Sequence, residues 1–254
     1  MLLRFDAYLN GVSFAQLDPA IILCDIVEKP PKEDRDEAKR ALHPGTRISS
    51  RTRRSLPVEL IFCIREYDIQ ARARVMDKVA EWAGDGGWLT INTRPGQRLY
   101  VTPELPALGS SLKWTEDITL TLTAYERPYW EQQWPTTAII TESGSLCPTG
   151  TFPTAYVECD VTNTGDADMT TLTITCADTF ITLEGLAVPP GEHVKVHYTD
   201  DDILRITAAG ASALANRTAE SHDDLIAFAR RSNAIAVASD QPVSAVFSAR
   251  GRYR

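Results

Sequence analysis

The sequence predicts a mainly β protein in two parts, an N-terminal β-rich domain with one α-helix and an extended arm, followed by a C-terminal β-sandwich. Three observations carry this. Apolar and polar residues alternate with period two along most of the chain, the mark of half-buried strands. One segment, 69–83, changes to three- and four-residue spacing. Turn residues then fall at short, regular intervals through the C-terminal part, as they do in two-sheet folds.

In the first part, Leu3, Phe5, Ala7 and Leu9 alternate with Arg4, Asp6 and Tyr8 until Gly11 interrupts, and residues 20–27 form a second strand-like run. The apolar pattern disappears over 29–56, where Pro30-Pro31, a charged stretch to Leu42 and Pro44-Gly45 lead into a segment carrying Arg47, Arg51, Arg53 and Arg54. Loops longer than about 12 to 15 residues are usually functional or disordered, so this arm asks for a partner surface. Its middle, 34–42, has the composition of a short helix. Val58, Leu60, Phe62 and Ile64 restore alternation. Ile69, Ala73, Met76, Val79, Ala80 and Ala83 then follow a helical period, with Gly84 at the C-cap position. Gly86-Gly87 turns the chain into a strand over 88–93, Pro95-Gly96 makes a hairpin turn, and 98–102 returns. Ile118, Leu120, Leu122 and Ala124 form the strongest strand of this part.

Residues 1–130 are expected as the first domain. The stretch 131–151, rich in Pro, Thr, Ser and Gly with Trp130 and Trp134 near its start, is expected as a linker, and 152–254 as the second domain. Short strands are predicted there at 155–161, 169–176, 180–183, 193–198, 203–206, 225–228, 234–238 and 243–248. Asn163-Thr164-Gly165-Asp166, Pro189-Pro190-Gly191 and Asp240-Gln241-Pro242 supply turns between them.

At 254 residues with net charge −8, the chain has ordinary globular composition and is long enough for two cores. Charge is uneven: nine basic residues face four acidic ones between Lys29 and Arg54, and eight face fourteen from Phe152 onward. Such asymmetry suggests a face that meets another surface. The five cysteines are scattered without a CxxC pair, which fits a reducing compartment better than a disulfide framework or zinc site. Cys159 and Cys176 continue apolar alternations and are expected in the core. Charged Arg4 and Asp6 deny the first ten residues the apolar stretch of a signal peptide, so the sequon at Asn216-Arg217-Thr218 carries little weight. No transmembrane run is evident.

Catalytic signatures are missing: no GxSxG elbow, Walker loop, HExxH or calcium loop occurs. His43 lies in the arm and His222 in a polar loop. His193 and His197 share a strand face, but four residues at about 3.3 Å each place them roughly 13 Å apart, too far for one ion. Asp200-Asp201-Asp202 lacks the ligand spacing of a calcium loop and reads as an exposed turn. The arm arginines have the charge of a phosphate-binding cluster but no interleaved aromatics, which favours protein contact. No cofactor is implied.

The ordered motifs resemble the distal tail protein family of siphophages. In the first part these are Ser55-Leu56-Pro57-Val58, Glu81-Trp82-Ala83, Gly86-Gly87 and Ala124-Tyr125-Glu126-Arg127-Pro128-Tyr129-Trp130. In the second they are Asn163-Thr164-Gly165, Leu183-Glu184-Gly185, Pro190-Gly191-Glu192, Ala215-Asn216-Arg217-Thr218, Asn233 and Arg250-Gly251-Arg252-Tyr253, in the order found in the family's galectin-like domain. The resemblance implies a non-enzymatic tail-tip hub whose N-terminal domain forms a ring, usually hexameric, between the tail tube and tail-fibre or receptor-binding proteins. It also implies assembly in the host bacterial cytoplasm, a place at the distal end of the virion tail, and DNA passing the ring without sequence-specific binding or membrane insertion. An arm reaching the neighbouring subunit would make Arg47, Arg51, Arg53 and Arg54 contact residues. The alternative is a carbohydrate-binding tail module. The second domain has no tryptophan, which leaves Tyr156, Tyr198 and Tyr253 as sugar platforms.

Overall fold

A strand with apolar residues at every second position buries one face, and the first unit is built around such a strand. The computed structural model describes residues 5–39, 46–105, 117–199 and 202–253, with side chains for all of these except 35–39 and 46–53. The chain divides into two compact units, Met1–Trp130 and Glu131–Arg254.

The first unit contains β1 (Ala7–Leu9), β2 (Val12–Ser13), β3 (Ile21–Glu28), β4 (Lys32–Lys39), β5 (Thr46–Ile64), helix α1 (Ile69–Ala83), β6 (Gly87–Ile91), β7 (Gln97–Glu104) and β8 (Ile118–Ala124). Its main sheet runs β2-β1-β6-β7-β8-β5-β3, with β4 added on β5. Leu56, Val58, Leu60, Phe62 and Ile64 of β5 are buried, as are Ile118, Leu120, Leu122 and Ala124 of the adjacent β8. The helix turns Val75, Met76, Val79 and Ala83 inward. Phe14 joins helix and sheet, lying edge-on to Phe62 at 5.1 Å and to Trp82 at 5.0 Å between ring centroids. Asp68 caps α1 by accepting from the Gln70 and Ala71 amides, which satisfies two of the donors a helix start leaves free.

The Gly86-Gly87 turn has a steric cause. Both residues have positive φ, and a Cβ would lie 2.1 Å from the Val101 carbonyl oxygen at Gly86 and 2.3 Å from Asn10 Oδ1 at Gly87. Asn10 occupies that space because it accepts from the Trp88 amide and donates to the Gly86 carbonyl.

Strand β9 (Trp130–Gln132) marks the boundary between the units. The second unit follows with β10 (Thr136–Ile140), β11 (Ser143–Leu146), β12 (Thr154–Asn163), β13 (Met169–Cys176), β14 (Thr179–Val188), β15 (His193–Tyr198), β16 (Leu204–Ala208), β17 (Ala211–Ser212), β18 (Ile226–Phe228), β19 (Asn233–Ser239), β20 (Val243–Ala249) and β21 (Arg252–Tyr253). One sheet runs β10-β20-β12-β15-β16-β17 with β18 beside β12, and the other runs β11-β19-β13-β14. Inward residues of both sheets form one hydrophobic cluster that includes Val157, Val161, Ile174, Leu183, Val196, Ile235 and Phe247. Cys159 and Cys176 belong to it, as expected. Burial holds the Cys159 thiol far above its ordinary value and pushes Cys176 up to about 11.

Two expectations are corrected. Residues 131–151, read as a linker, contribute β10 to β20 and β11 to β19, and place Ile140 and Leu146 in the core. The arm is not irregular: β4 and the first half of β5 make an antiparallel hairpin. Residues 34–39, expected at the start of a short helix, are strand, because a ladder to β5 outweighs the helix propensity of Glu, Ala and Lys. Residues 40–42 of that expectation lie outside the described residues, with His43, Pro44 and Gly45.

A fragment beginning at Glu131 is therefore expected to unfold cooperatively at a higher temperature than one beginning at Phe152, since the shorter piece loses two strands and two core residues. Circular dichroism melts of both fragments check this, and equal midpoints would show that the two strands add nothing. Asp240 offers a pH test. It accepts from the Thr170 hydroxyl at 2.6 Å and from the Thr170 and Thr171 amides where the β13 register slips. These bonds, the Thr170 hydroxyl first, hold its carboxyl below the usual range. A lowered acid stabilises above its unfolded pKa and loses that effect as pH falls through the folded value. Asp240→Ala should lower the melting temperature at pH 7, with a deficit that closes on acidification through the carboxylate range.

Candidate interaction surfaces

The arm draws its form from the two halves of β5. Residues 56–62 pair with β8 and residues 58–64 with β3, whereas residues 46–55 pair only with β4 among the described residues. At about 3.3 Å per residue, 46–55 reaches roughly 30 Å along the strand. A two-stranded ribbon with both outer edges unpaired is marginal alone and is a template for further strand pairing.

The structure places the four predicted contact arginines along this ribbon. Arg47, Arg51 and Arg53 stand opposite Ala38, Arg35 and Glu33 in the ladder, and their side chains lie outside those described. Arg54 is the extra residue of a bulge, because Ser55 pairs with Lys32 and Arg53 with Glu33. Its guanidinium forms an exposed ion pair with Asp34.

Sequence reasoning missed the root of the arm, whose contacts are all tertiary. The Lys29 amide donates to the Pro57 carbonyl, and the Lys29 ammonium pairs with Glu59. Glu28, the last residue of β3, accepts from Arg94 Nε at 2.6 Å. Arg94 also donates to Gln97 Oε1 at 3.2 Å, and its guanidinium lies 5.2 Å from the Trp130 ring centroid. Both partners in the Glu28–Arg94 pair are only 27% exposed, so it is less screened than a surface pair.

In the second unit, the candidate sugar platforms are largely committed to the protein. Tyr156 and Tyr198 stack on each other at 4.5 Å, and the Arg252 guanidinium lies 4.1 Å from the Tyr156 centroid. Arg252 is itself held by Asp202 at 3.1 Å, and the Tyr198 hydroxyl accepts from the Leu225 amide. Burial raises the Tyr198 hydroxyl well above its ordinary pKa. Tyr253 shares a 2.8 Å hydrogen bond with the Thr149 hydroxyl. His193 and His197 lie along β15 as read. His193 Nδ1 meets the Asp160 carboxylate at 2.8 Å, with Lys195 3.5 Å from the same group. Asp200 and Asp201 lie outside the described residues. Among the described residues no three His, Cys, Asp or Glu side chains are grouped to hold a metal ion.

The motifs that suggested a family act as pins. Asn216 donates to the carbonyls of Glu184 and Gly185, so two motifs about thirty residues apart are one contact. Buried Asn163 donates to the Ala167 and Val188 carbonyls and accepts from the Gly165 amide. Buried Asn233 donates to Leu146 and accepts from the Phe228 amide. Gly251 sits where a Cβ would lie 2.2 Å from the Thr149 carbonyl oxygen.

No family model matches the sequence, and no curated protein matches it. Solved structures do. The crystal structure of the Dit protein (gp 19.1) of phage SPP1, described as a paradigm of the hub of the adsorption apparatus in phages infecting Gram-positive bacteria, matches 97% of this chain over 98% of its own, with TM-score 0.72 and 12% identity. This chain has the SPP1 Dit fold. Two structures of the phage P2 baseplate in its activated conformation also match. The calcium form gives TM-score 0.54 at 7% identity over 99% of this chain and 98% of that one. The strontium form gives 0.53 at 6% over 97% of each. At these identities the likeness to Dit is one of fold, and it extends over both units.

The Glu28–Arg94 pair yields a test of the arm root. Arg94→Ala is expected to cost roughly 1–2 kcal/mol, the range for a partly buried charged hydrogen bond. Amide exchange should quicken at residues 26–29 and 56–59. Unchanged exchange there would remove Arg94 from the root.

Proposed function

We propose that this chain is the distal tail protein of a siphophage, a structural hub that forms a ring, hexameric as in the family, between the tail tube and the tail-fibre or receptor-binding proteins. The observation that carries the reading is the match to SPP1 Dit over 97% of this chain and 98% of that one. The motif order read from the sequence supports it independently. Unit 1 is then the ring former. Unit 2 is a galectin-like sandwich that carries adsorption components, which the single core shared by its two antiparallel sheets supports. The protein would act at the distal end of the virion tail after assembly in the host cytoplasm, with DNA passing through the ring.

The arm gives this reading a mechanism. A ribbon whose outer edges pair with no further strand among the described residues can extend a neighbour's sheet through backbone hydrogen bonds, and Arg47, Arg51, Arg53 and Arg54 supply charge for acidic groups on that neighbour. The carbohydrate-binding alternative gains little, because Tyr156 and Tyr198 spend ring faces on each other.

Light scattering after size exclusion tests assembly. The wild-type chain, alone or with tail-tube protein, should give a mass several times 28.1 kDa. Replacing residues 30–53 by a short Gly-Ser linker should preserve the thermal transition and weaken or abolish the ring. A monomer under all conditions overturns the hub reading. A stable ring of unchanged size in the deletion overturns only the subunit-clasp role of the arm.

A further inference from the structure

Cys24 and Cys63 are 39 residues apart in sequence, yet their Sγ atoms lie 3.8 Å apart. The register of β3 on β5 explains the approach. Ile22 pairs with Cys63 and Leu23 with Phe62, but Asp25 pairs with Ile61, so Cys24 is the extra residue of a bulge. A bulge bends its strand and re-aims the unpaired side chain. Leu23 is buried while Cys24 is exposed, and half-buried Cys63 sits between buried Phe62 and Ile64 on the outward face of β5. Both thiols therefore meet on the surface of the sheet. The other cysteines differ: Cys159 and Cys176 are in the core of unit 2, and Cys147 is exposed there.

We propose that Cys24 and Cys63 form a redox modification site that closes to a cross-strand disulfide. A disulfide needs its sulfurs at about 2.05 Å, so the thiols must approach by a little under 2 Å, within the reach of side-chain rotation at an exposed position. With oxidised glutathione as oxidant, one thiol loses its proton to solvent and attacks the glutathione disulfide, releasing one reduced glutathione and leaving a mixed disulfide on the protein. The second thiol, also giving its proton to solvent, attacks the protein sulfur of that mixed disulfide and releases the other glutathione, which leaves the Cys24–Cys63 bond. Two thiols are oxidised and one glutathione disulfide is reduced. Partial burial first, and then the neighbouring Cys63 thiol, holds the Cys24 thiol above its ordinary value, so attack on the oxidant is slow near neutrality and quickens as pH rises.

The bond has a structural consequence beyond its own strands. It closes a loop over residues 25–62, which contains β4 and β5 as far as Phe62, and it fixes the bulge at the end of the β3–β5 pairing opposite to the arm. Closing a loop of this length restricts the unfolded chain and stabilises the folded one.

The experiment uses the full chain carrying Cys147→Ser, which leaves four of the five cysteines. After incubation with oxidised glutathione and alkylation under denaturing conditions, two thiols should escape alkylation without any glutathione adduct. Peptide mapping should link Cys24 to Cys63. The oxidised protein should melt roughly 5 °C or more above the reduced one, with the gain removed by dithiothreitol and absent in Cys24→Ser. The wild-type chain, mapped in the same way, gives the same link if Cys147→Ser disturbs folding. Persistent glutathione adducts on Cys24 or Cys63, or full alkylation of both, would overturn the proposal.

Discussion

Strand β5 must pair on both sides along one half and on one side along the other. Leu56, Val58, Leu60, Phe62 and Ile64 put one face of its second half into the core, and β3 and β8 satisfy its backbone on either side. The first half leaves that anchored segment through the bulge at Arg54, which bends the strand where the arm departs. Glu28 with Arg94 and Lys29 with Glu59 then fix the point of departure.

The second unit meets the same constraint differently. Its sheets share a core through strict alternation, as in β12, where Ala155, Val157, Cys159 and Val161 face inward and Asp160 faces Lys195 on the outside. Alternation alone leaves turn ends and unpaired carbonyls unsatisfied, and an unsatisfied buried polar group costs about 1–3 kcal/mol. Asn163, Asn216 and Asn233 supply those missing partners. Asn163 closes β12 and Asn233 opens β19, where their short amide side chains reach the Val188 and Leu146 carbonyls, while Asn216 lies outside the strands and reaches Glu184 and Gly185.

The elements legible in the sequence were those whose form is dictated by burial. Helix α1 ends at Ala83 before Gly84, and β8 spans Ile118–Ala124, both as read from period alone. Strands β10 and β11 escaped because each gives the core only one buried side chain, Ile140 and Leu146, with small Ala138 beside the first, so only a weak period-two signal builds up among the surrounding Thr, Ser and Gly. The hairpin of β4 escaped for a related reason: it is held by backbone pairing between charged strands, and hydrogen bonds leave no mark on hydrophobic patterning. The site was less legible still. The arm arginines were visible as composition, while Glu28–Arg94 and Cys24–Cys63 join residues 66 and 39 positions apart, pairs that only the register brings together.

These facts also explain how a full-length fold match coexists with 12% identity and no matching family model. A sheet core asks for apolar residues at alternate positions and tolerates many choices of Val, Ile, Leu or Phe if total volume is kept. Identity is enforced only where geometry leaves one solution. Gly87 must make way for the side chain of Asn10, Gly251 must clear the Thr149 carbonyl, and Asn163 must reach two carbonyls and an amide at once. Such positions are few and scattered along the chain, so a fold of this kind constrains only a small part of the sequence to one residue type.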